Sequence, residues 1–276
     1  MNVQLSPRLG RATLALGAAG LLAIGSFSSV YAADPTTGTA GTTANTTTAA
    51  ATHRFCIPEW AAVVAHPGSV DVLRAAGDCE INRRFVTLDR LTSLVNHSTV
   101  LTADHKTDLL TGGGINPASF VSEHAGLTTL KATIDADTTI ASLRADIAKI
   151  APDYRVYLLV VPKTDIVAAA DGAAKTSARF VPLASELQNL INQAKADGKD
   201  VTEAQAKLDD LNAKVSQVNG LIAPVAGSVL PLSPADWNSG AAKPVMQTAR
   251  QSLHHARNLL VDARQDAHRI IVLLGS

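Results

Sequence analysis

Toward the C-terminus, apolar residues recur at alternating spacings of three and four: Met246, Ala249, Leu253, Ala256, Leu260, Ala263, Ala267, Ile270 and Leu274. That spacing lines them along one face of a single long helix. Pro244 stands where a first turn tolerates proline. Just upstream, "SPAD" at 233–236 offers a capping Ser, a first-turn Pro and an acid at the third position, which predicts the start of a short helix. A second pair of stripes lies further back. Phe180, Leu183, Leu187, Leu190 and Ala194 form one, and Val201, Ala204, Leu208, Leu211, Val215, Val218 and Ile222 form the other. Between them is "DGKD". Gly198 suits the left-handed position that closes a helix, and Asp200 with Glu203 fits a capping box that opens the next. So short a connection makes the two helices antiparallel, and the strict repeats predict coiled-coil-like packing. The expectation is three long helices over 177–196, 201–221 and 245–274.

The N-terminal half shows the same period in shorter pieces. Helices are expected over 58–64 and over 69–76, the latter capped by Ser69 and stopped by Gly77. Another is expected over 82–95 through Phe85, Leu88, Leu91 and Val95. Thr102 caps a helix that ends at Thr111, where "GGG" follows. Asn116-Pro117 starts one buried through Phe120, Leu127, Leu130 and Ile134. After "DADT" the pattern resumes with Ile140, Leu143, Ile147 and Ile150.

"DYRVYLLVVPK" at 153–163 has the β-branched and aromatic content of a buried strand. It is too short to span a membrane and is flanked by Arg155 and Lys163. A lone strand leaves its backbone groups unpaired, and the chain offers no second strand. The better expectation is a helix buried on nearly all sides, with Tyr154, Leu158 and Ile166 on one face and Pro162 kinking or breaking it. An extended segment is the alternative.

The first residues do not belong to this fold. Arg8 and Arg11 precede an apolar, small-residue run that ends in "VYA" at 30–32, the pattern of a Sec-type signal peptide cleaved after Ala32. Residues 33–53 are almost wholly Thr, Ala and Gly and cannot offset their ordering entropy, so they form a disordered linker. The expected organisation is a signal peptide over 1–32, a linker over 33–53 and an all-α antiparallel bundle over 54–276, with a division near 175. The chain is expected to be secreted or held at the cell envelope.

Charge narrows the partners. There are 24 basic and 24 acidic residues; without Arg8 and Arg11 the net is about −2. Nucleic-acid binding needs a basic stripe, and none is visible. The two cysteines, Cys56 and Cys79, both follow the signal, so a disulfide is expected. It would be worth about 3 kcal/mol in the chain-entropy model.

Several groupings carry residue types suited to chemistry. "TGGGIN" at 111–116 precedes a helix but lacks the Lys-Ser/Thr of a phosphate loop, so a helix stop and turn explains it. "DADT" at 135–138 lacks the further ligands of a calcium loop, and Asp137 or Thr138 is expected to cap the next helix. His254, Asn258, Asp262 and Asp266 form a line on the last helix. It is read as a solvated polar face, with His254, Asp262 and Asp266 the weak metal candidates. Ser122 and His124 are neighbours on a helix and point about 100° apart, so they do not make a nucleophile–base pair. Trp60 and Trp237 are expected to be buried, because aromatics make up only 4% of the chain, too few to line a sugar groove.

"LTADHKTDLL", "GLTTLKATIDADTTIASLRADIAKI" and "DYRVYLLVVPK" followed by "VAAAD" resemble a group of uncharacterised, Ala-rich, exported helical proteins of high-GC Gram-positive bacteria. The resemblance is close over 99–171 and looser over the later hairpin and "PLSPADWN". It implies a signal peptide and a helical fold, with no activity and no site residue. The functional expectation is a non-enzymatic spacer or protein-interaction module that uses no cofactor. Its partner would be a protein or cell-wall component, and self-association is compatible with the stripes. A metal- or small-ligand-binding module and a hydrolase assembled only in three dimensions are the alternatives.

Overall fold

The computed structural model describes residues 56–275. The signal peptide and linker expected over 1–53 lie outside the described residues. Those described form an all-α protein: α1 (Ile57–Ala65), α2 (Val70–His97), α3 (Ala103–Thr111), α4 (Phe120–Ala136), α5 (Ile140–Ile147), α6 (Ile150–Tyr154), a π-helical turn (Val156–Val160), α7 (Val161–Ala196), α8 (Thr202–Ile222), α9 (Val225–Val229), α10 (Pro234–Ser239) and α11 (Ala242–Gly275). No strand occurs among the described residues.

Helices α7, α8 and α11 pack on one another as the expected bundle. Its core is built from the predicted stripes, with Phe180, Leu187, Leu208, Leu211, Val218, Ala256, Ala263 and Ile270 all buried. Gly198 takes the left-handed conformation at φ +81°. The cap of α8 differs from expectation. Val201 is its N-cap, while Asp200 accepts a hydrogen bond from the Thr202 N–H at 2.9 Å. Glu203 does not reach back to close a box, because its carboxylate pairs with Arg269 of α11 at 2.9 Å. The box at Ser233 and Asp236 does form at the start of α10.

The remaining helices surround a second core with the first part of α7, α9 and the start of α11. Here the boundaries depart from expectation. The two helices separated at Gly77 are one, α2, of 28 residues. Gly77 lies inside it because α5 crosses there: a Cβ on Gly77 would stand 2.8 Å from Ile147 Cγ1. Close approach of two helices therefore explains this glycine. Helix α4 starts at Phe120, capped by Ser119, instead of at Asn116-Pro117. Helix α5 is capped by Thr139, instead of by Asp137 or Thr138.

Residues 153–163 are helical but not one regular helix. Arg155 adopts φ +43° and ends α6. Its carbonyl then accepts hydrogen bonds from the N–H groups of Leu158, Leu159 and Val160, forming the wide turn that feeds α7. The reset changes the phase, so Leu158 is exposed while Val156, Leu159, Val160 and Val161 are buried. Pro162 is the second residue of α7, directly behind the π-helical turn, and does not end the helix. Pro182, in the interior of the same helix, does not end it. Along α7 the two cores change over between Ala170, in the first, and Phe180, in the second.

Candidate functional site

The most apolar run outside the N-terminus leads to a lysine that the fold buries completely. Lys163 lies in the first turn of α7, and the packing that buries Val160, Val161 and Val167 takes its side chain inward as well. Its ammonium has three donors, and each finds an oxygen: Asn116 Oδ1 at 2.8 Å, the Leu230 carbonyl at 3.1 Å and the Leu232 carbonyl at 2.6 Å. Three segments distant in sequence thereby meet on one charge.

Each partner is held from its own side. The "TGGGIN" stretch begins as the cap of α3, with Gly112 at φ +100°. A Cβ on Gly112 would meet the Asn116 carbonyl oxygen at 2.9 Å, so the tight return depends on glycine. That return lets Asn116 Nδ2 donate to the Asp108 carbonyl at 3.1 Å. Asn116 Oδ1 accepts from the Ala118 N–H, also at 3.1 Å. The amide is thus fixed in plane and aimed at Lys163. The two carbonyls come from the end of α9 and the turn behind it.

Glu123, on the first turns of α4, completes the group. It is buried, and its Oε2 has no hydrogen-bond partner among the described residues. Burial pushes its carboxyl up to about 8, against the pull of the Lys163 charge. Burial also pushes the Lys163 ammonium down to about 8, opposed by the negative charges of Glu123 and Asp236. Burial thus works against the charged form of both an amine and a carboxyl inside one core.

Two other polar clusters tie helices together. Asp171 of α7 accepts from the Thr102 N–H at 2.8 Å and holds His105 Nδ1 at 2.8 Å, which pins the start of α3. This orients the imidazole as a catalytic carboxylate would, but no hydroxyl or thiol among the described residues hydrogen-bonds its Nε2, so no nucleophile follows. In the bundle, Asp266 of α11 is buried and bridges Lys207 and Lys214 of α8.

That placement corrects the reading of the last helix. His254 and Asp262 are exposed, whereas Asp266 is turned into the bundle and neutralised by two lysines, so the three do not converge. The one grouping of His, Cys, Asp and Glu close enough to share an ion among the described residues is Cys56, Glu59 and Cys79. Its two sulfurs are bonded to each other in the expected disulfide, which joins α1 to α2. Ser122 and His124 do not pair: the His124 ring stacks on Phe85 at 4.4 Å. Trp60 is not buried; it lies exposed, with its N–H toward Glu80 at 3.4 Å. Trp237 is half-buried against the first core.

An open groove of about 480 Å³ runs between α7 and α8, with Phe180, Leu208 and Val215 as its floor and Gln188, Asn189 and Asn212 along its sides. No family model, curated protein or solved structure matches this chain.

Sequence reasoning missed Lys163, Asn116 and Glu123. The signal available was a basic residue at the end of the most apolar run outside the N-terminus. Its three oxygen partners are 47, 67 and 69 residues away, beyond the reach of any periodic pattern.

Proposed function

We propose that the protein is a non-enzymatic helical module of the cell exterior, acting as a spacer and contact surface for a protein or cell-wall component. The supporting observation is the bundle. Helices α7 and α11 have 36 and 34 residues, lengths of about 54 and 51 Å at 1.5 Å per residue. Their apolar stripes close on α8, which makes a rod out of side chains that offer little else. The groove between α7 and α8 opens part of that rod's surface with apolar and amide side chains side by side, and Val181 on its edge is 63% exposed. The signal-like N-terminus supports the exterior location.

Cell fractionation combined with in-cell crosslinking tests the reading. A photo-crosslinking side chain replaces Val181 in one strain and the exposed His255 on α11 in another. The reading expects the protein in the envelope or medium, with a defined adduct from position 181 and none from position 255. Retention in the cytoplasm overturns it. Equal labelling at both positions leaves a spacer without a contact face.

A further inference from the structure

The disulfide between α1 and α2 has a carboxylate beside it. We propose that Cys56, Glu59 and Cys79 form a zinc site when the disulfide is reduced, so that the same three positions hold either a covalent bridge or a metal ion.

The placement comes from two helices. Cys56 is the N-cap of α1 and Glu59 lies in its first turn, three residues on, which sets both on one side of that helix. Cys79 is on α2, against which α1 packs. The two sulfurs and one carboxylate oxygen of Glu59 all lie within 4.8 Å of one another. Sulfur and oxygen ligands around a tetrahedral zinc stand roughly 3.5–4 Å apart, so the three positions already span the size of such a site. Both cysteines are buried, which keeps competing ligands out.

Glu59 supplies the independent sign. Its Oε2 is closed off from solvent and has no hydrogen-bond partner among the described residues. A buried carboxylate oxygen without a donor needs a reason. The sulfurs of a disulfide carry no proton and cannot donate to it. A cation between carboxylate and sulfurs would satisfy it. The start of α1 also favours negative charge at Cys56, which suits the thiolate that a metal ligand must be. Two thiolates with one carboxylate select zinc over calcium or magnesium, and three protein ligands leave the fourth position to a water.

The steps balance. A phosphine or dithiol reductant gives two electrons to the S–S bond, and two protons complete the two thiols. Zinc then displaces both protons, and each sulfur and one Glu59 oxygen donate a lone pair to it.

The test is titration of the full chain, reduced with a phosphine and freed of it without air, first with cobalt(II) as a coloured stand-in and then with zinc. The reduced wild type is expected to take up one equivalent, with a sulfur-to-cobalt charge-transfer band and the visible bands of tetrahedral cobalt, bleached by zinc. Glu59→Gln should bind at least about tenfold more weakly, and Cys56→Ser should lose the charge-transfer band of the two-thiolate site. Zinc should raise the melting temperature of the reduced chain and leave that of the oxidised chain unchanged. If reduction alone lowers the helical signal in circular dichroism, zinc should restore it, and failure to do so overturns the proposal. Absence of the sulfur-to-cobalt band in the reduced wild type overturns it as well. So does equal affinity in Glu59→Gln, or equal affinity in the chain unfolded by denaturant, since loose thiols would then account for the binding.

Discussion

The two cores are built by different rules. In the bundle, α7, α8 and α11 bury aliphatic side chains that repeat along each helix, and the buried charge, Asp266, lies between two lysines at 18% and 38% exposure. In the other core the helices are shorter and cross in several directions, and polar groups stand at its centre: Lys163, Asn116, Glu123 and Asp171. Periodic burial needs only a repeated local rule. A core of short crossing helices must also satisfy helix ends and turns buried inside it, and charged side chains do that here. The contrast teaches where polar residues are held by structure and where they sit at an edge.

Removing the central ammonium should break this contrast most severely. Lys163→Met leaves the buried Leu230 and Leu232 carbonyls without this donor and Asn116 Oδ1 with the Ala118 N–H alone. At about 1–3 kcal/mol for each unsatisfied group, the loss should reach about 3–5 kcal/mol in a chemical denaturation curve. The matching change in the bundle, Asp266→Asn, keeps the shape and leaves two partly solvated lysines that recover water. It should cost about 1–2 kcal/mol by the same measurement. An equal loss in both variants would dissolve the distinction.

A further effect is spread over several pH units. Glu123 holds its proton up to about 8 when folded, whereas its ordinary value is 4.5. Between those values the unfolded chain gives up a proton that the folded chain retains, so raising pH favours unfolding. Stability should fall across this window, by at most about 1.4 kcal/mol per pH unit from this one group. Glu123→Gln should flatten the profile when melting is followed from pH 4.5 to 8. A wild-type profile already flat there would show Glu123 ionised in the fold.

Glycines sharpen the comparison at the lowest energies. Gly220 lies within α8 with nothing near its missing Cβ. Gly220→Ala should stabilise by about 0.5–1 kcal/mol through helix propensity and reduced freedom of the unfolded chain. Gly77→Ala makes the same propensity gain but drives a methyl to 2.8 Å from Ile147. It should fail to stabilise, and thermal melts of the two variants should move in different directions.

Legibility in the sequence followed the same divide. The stripes from Phe180 to Ile270 were readable because the residues that meet in the bundle repeat at a fixed spacing on each helix. Ser233 and Asp236 were readable because a capping box is complete within four residues. Gly77 misled because glycine stops a helix and also lets two helices touch, and only Ile147, 70 positions away, decides which. Asp266 was read as solvated because its own helix says nothing of the two lysines opposite. Glu203 left its box for Arg269 for the same reason. The buried triad was illegible because no local rule connects residues 116, 123 and 163.

The uninterrupted course of α7 through both cores has a bearing on how the molecule comes apart. No linker exists between Ala170 and Phe180 at which one half can melt while the other stays intact. Loss of either core strips support from the shared helix, so heat should produce a single steep transition. A truncation made in that interval would expose the fresh end of a long helix and yield two fragments, neither able to stand alone.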